Sequence, residues 1–485
     1  MTVRFSGTGE LSPLLREPFP GGDVVEWTVR APEQVRQQSV PSGAGTFLQS
    51  DHLATAVAGR RRGDAHRAII GSLTRFDESL DDAAMAQALT EFLRRHEELR
   101  AHYVIDESGI TRMVAPANVI EVVTTGSGGA GRQRVDGESI GEHAAQRIAA
   151  HTDYDSVPAM HFGAAADADG FTFYLGTDHV HGDGYSMWLA LAEIVALYRA
   201  RVHGDDADLP PVGLYADYIR DESISATAVG AADESVDIWR KALRAKGGIP
   251  TSALDLGLAD DAPVAAVRAR RDLLTAEQAA RIDERLASTD LTFTGCVYAA
   301  LASAQLAVTG EGLFCTTTAV ARRMPGHERT QGWLCNFAPI CFDTDPDGDC
   351  WALIATATAA VRDARIASQA PVGAVLGALA QSGELPPING SPQMVTYLDH
   401  RRLPGVADPT VATTVGFPGV GRTRNANLWV SRMTDCLTIE TQIPDNATAR
   451  ANVESYFDAI ADWLGVFAAG VDEPPRSHRI AGLPA

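Results

Sequence analysis

Cysteine is scarce, with six residues in 485 (Cys296, Cys315, Cys335, Cys341, Cys350 and Cys436) and no CxxC pair among them. That spacing does not suit a structural zinc site, and a chain of this length gains little from disulfides. Basic residues are also outnumbered, 41 against 62 acidic ones, for a formal charge of −21. Nucleic acid and anionic lipid surfaces are held by clustered cations, so both are poor partners for such a chain. The basic runs Arg60-Arg61-Arg62 and Arg401-Arg402 read as solvated loops, and only a local patch of this kind would admit an acidic carrier protein. No run of about eighteen apolar residues occurs, and the opening Met1-Thr2-Val3-Arg4-Phe5-Ser6-Gly7 is not followed by an apolar leader. The expectation is a cytoplasmic protein with no transmembrane segment.

What is present is apolar content of 45% over a length that exceeds one ordinary core. Strand patterns fall at Val24-Val25-Glu26-Trp27-Thr28-Val29, at Ala68-Ile69-Ile70-Gly71-Ser72-Leu73 and at His102-Tyr103-Val104-Ile105. Asp81 or Asp82 caps a helix with Met85, Leu89, Phe92 and Leu93 on one face, and a second helix is expected near 140–150. A Gly- and Ser-rich loop covers about 125–138. Phe171-Thr172-Phe173-Tyr174-Leu175-Gly176 alternates as a half-buried strand, and an apolar helix follows with Met187, Leu191, Ile194, Val195 and Tyr198 in step. About 203–233 is rich in Pro, Asp, Gly and Ala and reads as a linker. Beyond it, Thr275 and Gln278 form a capping box for a helix carrying Ile282 and Leu286. A second apolar helix spans about 296–308, strands are expected near 313–320, 393–398, 427–431 and 437–442, and a last helix covers about 449–467. The fold class is mixed α/β, in two domains spanning 1–205 and 206–485.

Chemistry concentrates in Asp178-His179-Val180-His181-Gly182-Asp183-Gly184, a strand-to-helix corner where reactive groups are both exposed and held. Gly182 and Gly184 remove bulk on either side of Asp183. The cluster also echoes the HxHxD motif of metallo-β-lactamase-type hydrolases, since two histidines and a carboxylate can bind zinc. That motif would continue with a further histidine where Gly184 stands, so no metal is expected.

His179-Val180-His181-Gly182-Asp183-Gly184 resembles the HxxxDG part of the HHxxxDG motif of the condensation-domain and chloramphenicol acetyltransferase-like acyltransferase superfamily. Arg95-His96-Glu97-Glu98-Leu99-Arg100 is similar to the upstream RHExLR signature. Ala321-Arg322-Arg323 and Gln331-Gly332-Trp333-Leu334-Cys335-Asn336 match later segments in order and spacing. The Thr330-Gln331-Gly332-Trp333 wording looks most like the mycobacterial polyketide-associated, glycolipid-acylating branch. Asp178 departs from the pattern by replacing the first motif histidine. No DFGWG segment appears, and Gly416-Phe417-Pro418-Gly419-Val420-Gly421 stands in its place.

The resemblance implies two chloramphenicol acetyltransferase-like subdomains in a V-shaped arrangement with a tunnel between them. It assigns His179 as general base, with Asp183, Gly184 and Arg323 supporting the site and Asp183 pairing with Arg323 across the two halves. Asp178, His181, Trp333 and Asn336 are candidate tunnel-lining residues. The implied reaction moves an acyl group from acyl-CoA or an acyl carrier protein to a hydroxyl of a lipid, sugar or polyketide-type acceptor. A thioester is already activated, so no cofactor is needed beyond the pantetheine of the donor. Amide formation by a free-standing condensation enzyme is the chief alternative, and an inactive condensation-like scaffold is a lesser one.

Overall fold

The computed structural model describes residues 2–473 apart from 8–9, 11–12, 16–17, 64–67, 126–132, 260–261, 346–347, 389–390 and 420. The first half contributes strands β1 (Gly22–Val29), β2 (Ile69–Phe76), β3 (Ala101–Asp106), β4 (Gly109–Val114), β5 (Val122–Thr125), β6 (Met160–Ala166) and β7 (Phe171–Asp178). Its helices include α1 (Phe47–Arg62), α2 (Asp82–Arg95), α3 (Ile140–His151) and α4 (Gly184–His203). The main sheet runs β2-β7-β6-β1-β5, antiparallel throughout, and β3 pairs with β4 in a separate sheet. Asp81 starts α2 by accepting from the backbone of Ala83 and Ala84, and Met85, Leu89, Phe92 and Leu93 are buried as the periodicity predicts. Part of the expected 125–138 loop, residues 126–132, lies outside the described residues.

The alternation in β7 predicts a strand with one wet face, yet all eight of its residues are buried. Phe171, Phe173 and Leu175 join the core that includes α2 and α4 residues, while Tyr174 packs with Ile140 and Ile148 of α3 on the other face. Both faces are therefore covered, and alternation marks two different packing partners rather than core and solvent. At Gly176 a Cβ would stand 2.7 Å from Ile148, so only glycine lets α3 approach this closely.

The second half contributes α5 (Tyr215–Thr227), α6 (Glu234–Lys246), β8 (Val264–Thr275), α7 (Ala276–Leu286), α8 (Phe293–Thr309), β9 (Leu313–Ala321), β10 (Cys335–Asp343), α9 (Cys350–Ala367) and α10 (Val372–Gln381). It continues with β11 (Val395–Asp399), β12 (Val415–Pro418), β13 (Asn427–Arg432), β14 (Cys436–Pro444) and α11 (Ala447–Ala468). Its sheet runs β8-β14-β13-β11, parallel only between β13 and β11, and β9 with β10 forms a hairpin-like pair. The Thr275–Gln278 capping box opens α7 as expected. The strip β12 leaves this half and pairs with β2 of the first sheet. This is the stretch standing where DFGWG would be; Phe417 is buried there against Gly71, and Val420 lies outside the described residues.

The expected linker at 203–233 is corrected by the structure, because α5 occupies 215–227. Tyr215 and Tyr218 are fully buried and pack with Leu334. Two aromatic residues one helical turn apart outweigh the loop-like composition around them, since each buries far more apolar surface than its neighbours.

Candidate active site

At the end of β7 the chain makes one 3-10 turn, His179–His181, before α4 begins at Gly184. Asp178 is fully buried and its Oδ1 accepts from the Val180 backbone at 2.7 Å and from His52 Nε2 at 2.9 Å. Asp183 caps α4 by accepting from the Ser186 backbone at 2.7 Å. The His179 backbone donates to the Ala68 carbonyl at 2.8 Å. These bonds fix the turn from both ends, so the His179 side chain emerges from a rigid support.

The His179 residue is half-buried, and its Nδ1 is shielded from solvent with no hydrogen-bond partner among the other described residues. Its ring lies 4.3 Å from that of Trp333 and 6.3 Å from that of His52, and His52 meets Trp333 edge-on at 5.5 Å. Trp333 belongs to the second half, so the two halves of the chain meet over this imidazole. Burial pushes the His179 pKa below the ordinary histidine value, and the charge of neighbouring His52 acts in the same direction. Its own backbone carbonyl, Asp178 and Asp183 oppose the shift without reversing it.

Across the junction, Arg323 reaches Asp183 at 3.2 Å, as the motif implies. The same guanidinium donates to Ser186 Oγ at 2.8 Å and to the Thr330 carbonyl at 2.6 Å. The other Asp183 oxygen accepts from the Leu334 backbone at 2.9 Å, and Ser186 Oγ donates to the Gly332 carbonyl at 2.6 Å. Gly332 has φ of +144°, and a Cβ there would fall 2.3 Å from the Tyr215 ring, so this position admits glycine alone. The Tyr215 hydroxyl donates to the Trp333 carbonyl at 3.1 Å, placing α5 directly beneath the strip that carries the tryptophan. Adjacent Gln331 is buried, and neither end of its amide has a partner among the described residues.

A second, drier network lies behind the turn. Glu98 is fully buried and gathers Gln49, Tyr103, His181 and Arg112 at 2.7–3.1 Å. The Arg112 charge and the His181 hydrogen bond hold its carboxyl below the usual range against strong desolvation. Gln49 also donates to the Val180 carbonyl at 2.7 Å, tying α1 to the His179–His181 turn. Of the other residues in the Arg95-to-Arg100 signature, Arg95 and His96 both hold Glu193, and Glu97 pairs with Arg112.

The structure divides the candidate lining residues. Trp333 lies against His179, but His181 is fully buried and spends Nδ1 on Glu98, and Asp178 is buried against His52. Asn336 is corrected most clearly. Its amide donates to the Ser368 and Ala370 carbonyls and accepts from the Phe337 and Val372 backbones, leaving no end for a ligand. It is a strut for the turn into α10. Gly184 is exposed, with open space where a Cβ would stand. The HxHxD cluster serves four separate partners, Asp178 to His52, His179 to Trp333, His181 to Glu98 and Asp183 to Arg323. Among the described residues no three His, Cys, Asp or Glu side chains converge as a metal site.

His52 and Gln49 were not identified from sequence. They stand three apart on α1, a helix without a continuous apolar stripe, and that unexplained polar pair on one face is the only signal they leave.

A family model described as the condensation domain matches residues 65–388, well over half of the chain. The 2'-acyl-2-O-sulfo-trehalose (hydroxy)phthioceranyltransferase PapA1 of Mycobacterium tuberculosis is 27% identical over 341 residues, covering 67% of this chain and 62% of that protein. The chain thus spans under two thirds of the length of that relative. Acyltransferase PapA3 of the same organism is 25% identical over 451 residues, covering 90% of this chain and 92% of PapA3. Among solved structures, PapA2 acyl transferase superposes with a TM-score of 0.81 at 23% identity, over 93% of this chain and 97% of that one, a likeness of fold.

Proposed function

Because the chain belongs to the condensation-domain family, we propose that it transfers an acyl group from a thioester to a hydroxyl, with His179 as general base. The observation that carries this reading is the His179 ring, pinned under Trp333 at the junction of the two halves and biased toward its uncharged form. An uncharged imidazole accepts a proton, and acyl transfer from an activated donor needs a base at the incoming nucleophile. His179 takes the hydroxyl proton as the oxygen attacks the thioester carbonyl. The tetrahedral adduct then collapses, the C–S bond breaks, and the thiolate recovers the proton from the imidazolium. No resident cofactor is required, because the donor brings its own activation.

In this reading residues 1–205 and 206–485 act as two acetyltransferase-like subdomains, and donor and acceptor approach His179 through a tunnel between them. The name of PapA1, which gives an acylated sulfo-trehalose as what that protein acts on, supports a glycolipid-type acceptor with a sugar or lipid hydroxyl. The donor in this reading is acyl-CoA or an acyl carrier protein. No helix among the described residues is long and apolar enough to cross a membrane. In the proposed reading the protein works in the cytoplasm and meets a lipid acceptor peripherally.

The test is incubation with a panel of acyl thioesters against alcohols and amines, with products read by mass spectrometry. An ester product with stoichiometric release of thiol is expected. Amide products instead would move the assignment to a free-standing condensation enzyme, and no acyl product with any pair would leave the scaffold reading.

The pH profile supplies an independent check. A base must be unprotonated, so kcat/KM falls as pH drops through the His179 pKa. Since that value lies below the ordinary histidine figure of about 6.5, activity is expected to stay level through neutral pH and decline only on the acid side of that figure. An acid limb centred above it would contradict a desolvated His179 as the base.

A further inference from the structure

Cys315 of β9 and Cys341 of β10 stand directly opposite each other in an antiparallel pair. The neighbouring bonds show which kind of pair this is. Just beyond the strand ends, Arg322 donates to Leu334 and Thr344 donates to Gly312, so even-numbered positions of this register exchange bonds across the ladder. Thr317, at odd number, sends its N–H away from β10 to the Gln393 carbonyl. Cys315 shares the parity of Thr317 and so forms a non-hydrogen-bonded pair with Cys341. In such pairs the Cα atoms are about 4.5 Å apart and the side chains lean together, within the roughly 4.4–6.8 Å that a disulfide spans.

Side-chain chemistry separates the two sulfurs. The closeness of the two thiols holds Cys341 below the usual thiol range and pushes Cys315 above it. Cys315 is buried beside the Ala242 carbonyl of α6, whereas Cys341 is partly exposed. The Lys246 ammonium at the end of α6 favours thiolate on both, while Asp343 opposes it at Cys341 and Glu311 at Cys315. Among the other four, Cys296, Cys335 and Cys350 are raised chiefly by burial.

We propose that Cys315 and Cys341 form a peroxide-responsive dithiol that closes to a disulfide across the β9–β10 pair. The Cys341 thiolate attacks the peroxide O–O bond, giving a sulfenic acid and, after protonation, water. The Cys315 sulfur then attacks the sulfenic sulfur. The S–S bond forms, the S–O bond breaks, and the Cys315 proton leaves with the hydroxyl as a second water. Two thiols lose two electrons and the peroxide gains them. The link ties together the two strands whose other ends lead to Arg323 and Trp333, so the redox state of this pair bears on the frame of the acyl-transfer site.

The full-length protein is treated with hydrogen peroxide, remaining thiols are alkylated, and peptides are mapped by mass spectrometry. A linked Cys315–Cys341 peptide is expected, removed by a thiol reductant, with the other four cysteines alkylated. In Cys315→Ser, Cys341 should accumulate sulfenic acid that dimedone traps. Full alkylation of Cys315 and Cys341 after peroxide treatment, or a linked peptide joining another pair in their place, overturns the proposal.

Discussion

Replacing His179 by alanine is expected to lower turnover by about 100- to 10,000-fold, the usual contribution of a well-placed base, while the protein remains folded. The expectation of a stable variant follows from what the ring touches. Its Nδ1 has no partner among the other described residues to strand, and the backbone bond from residue 179 to Ala68 survives the change. What is lost is a tilted ring contact with Trp333 and a more distant one with His52, each of a kind worth roughly 0.5–1.5 kcal/mol. Single-turnover assays with an acyl thioester, beside a thermal melt, separate the two effects. A variant that turns over at near the parent rate removes His179 from the mechanism, and one that fails to fold removes it from the set of purely chemical residues.

The parts of the site that could be read from sequence are those written contiguously. The corner from Asp178 to Gly184 carries its own cap and the proposed base, and the Asp183–Arg323 partnership follows from the family motif. Residues recruited through space left no such mark. His52 meets Asp178 from 126 positions away, and nothing in the α1 pattern says which face will look at the turn. The role of Asp178 itself becomes intelligible only with His52 present, since a buried carboxylate requires a donor. At fold level, amphipathic helices such as α2 and α7 declare their buried face, and their caps fix where they start. The pattern fails where one signal has two causes. Alternation in β7 arises from two packed layers rather than one layer and water, and the Asp- and Gly-rich surroundings of α5 hide Tyr215 and Tyr218. Asn336 shows the converse: a polar residue in a signature segment, read as facing a ligand, is consumed by four backbone groups.

Replacing Asp183 by alanine is expected to destabilise the protein by about 3–5 kcal/mol, as removal of one member of a buried ion pair does. The side chain does three jobs at once. It caps α4 through Ser186, accepts the Leu334 backbone from the opposite half, and neutralises Arg323. Cap loss alone costs about 1 kcal/mol, so a larger effect must come from the stranded guanidinium and N–H at a buried junction. Arg323 keeps Ser186, the Thr330 carbonyl and the face of Tyr185 at 4.4 Å, which limits the penalty but supplies no counter-charge. Against a typical total stability of about 5–15 kcal/mol, such a loss is large. It should appear as a lowered denaturant midpoint, and it should be accompanied by reduced activity because Leu334 adjoins the Trp333 that covers His179. The Arg323→Ala change, combined with it in a double-mutant cycle, isolates the pair: a coupling energy near zero would mean that Asp183 acts through the α4 cap and the Leu334 backbone bond rather than through this bridge.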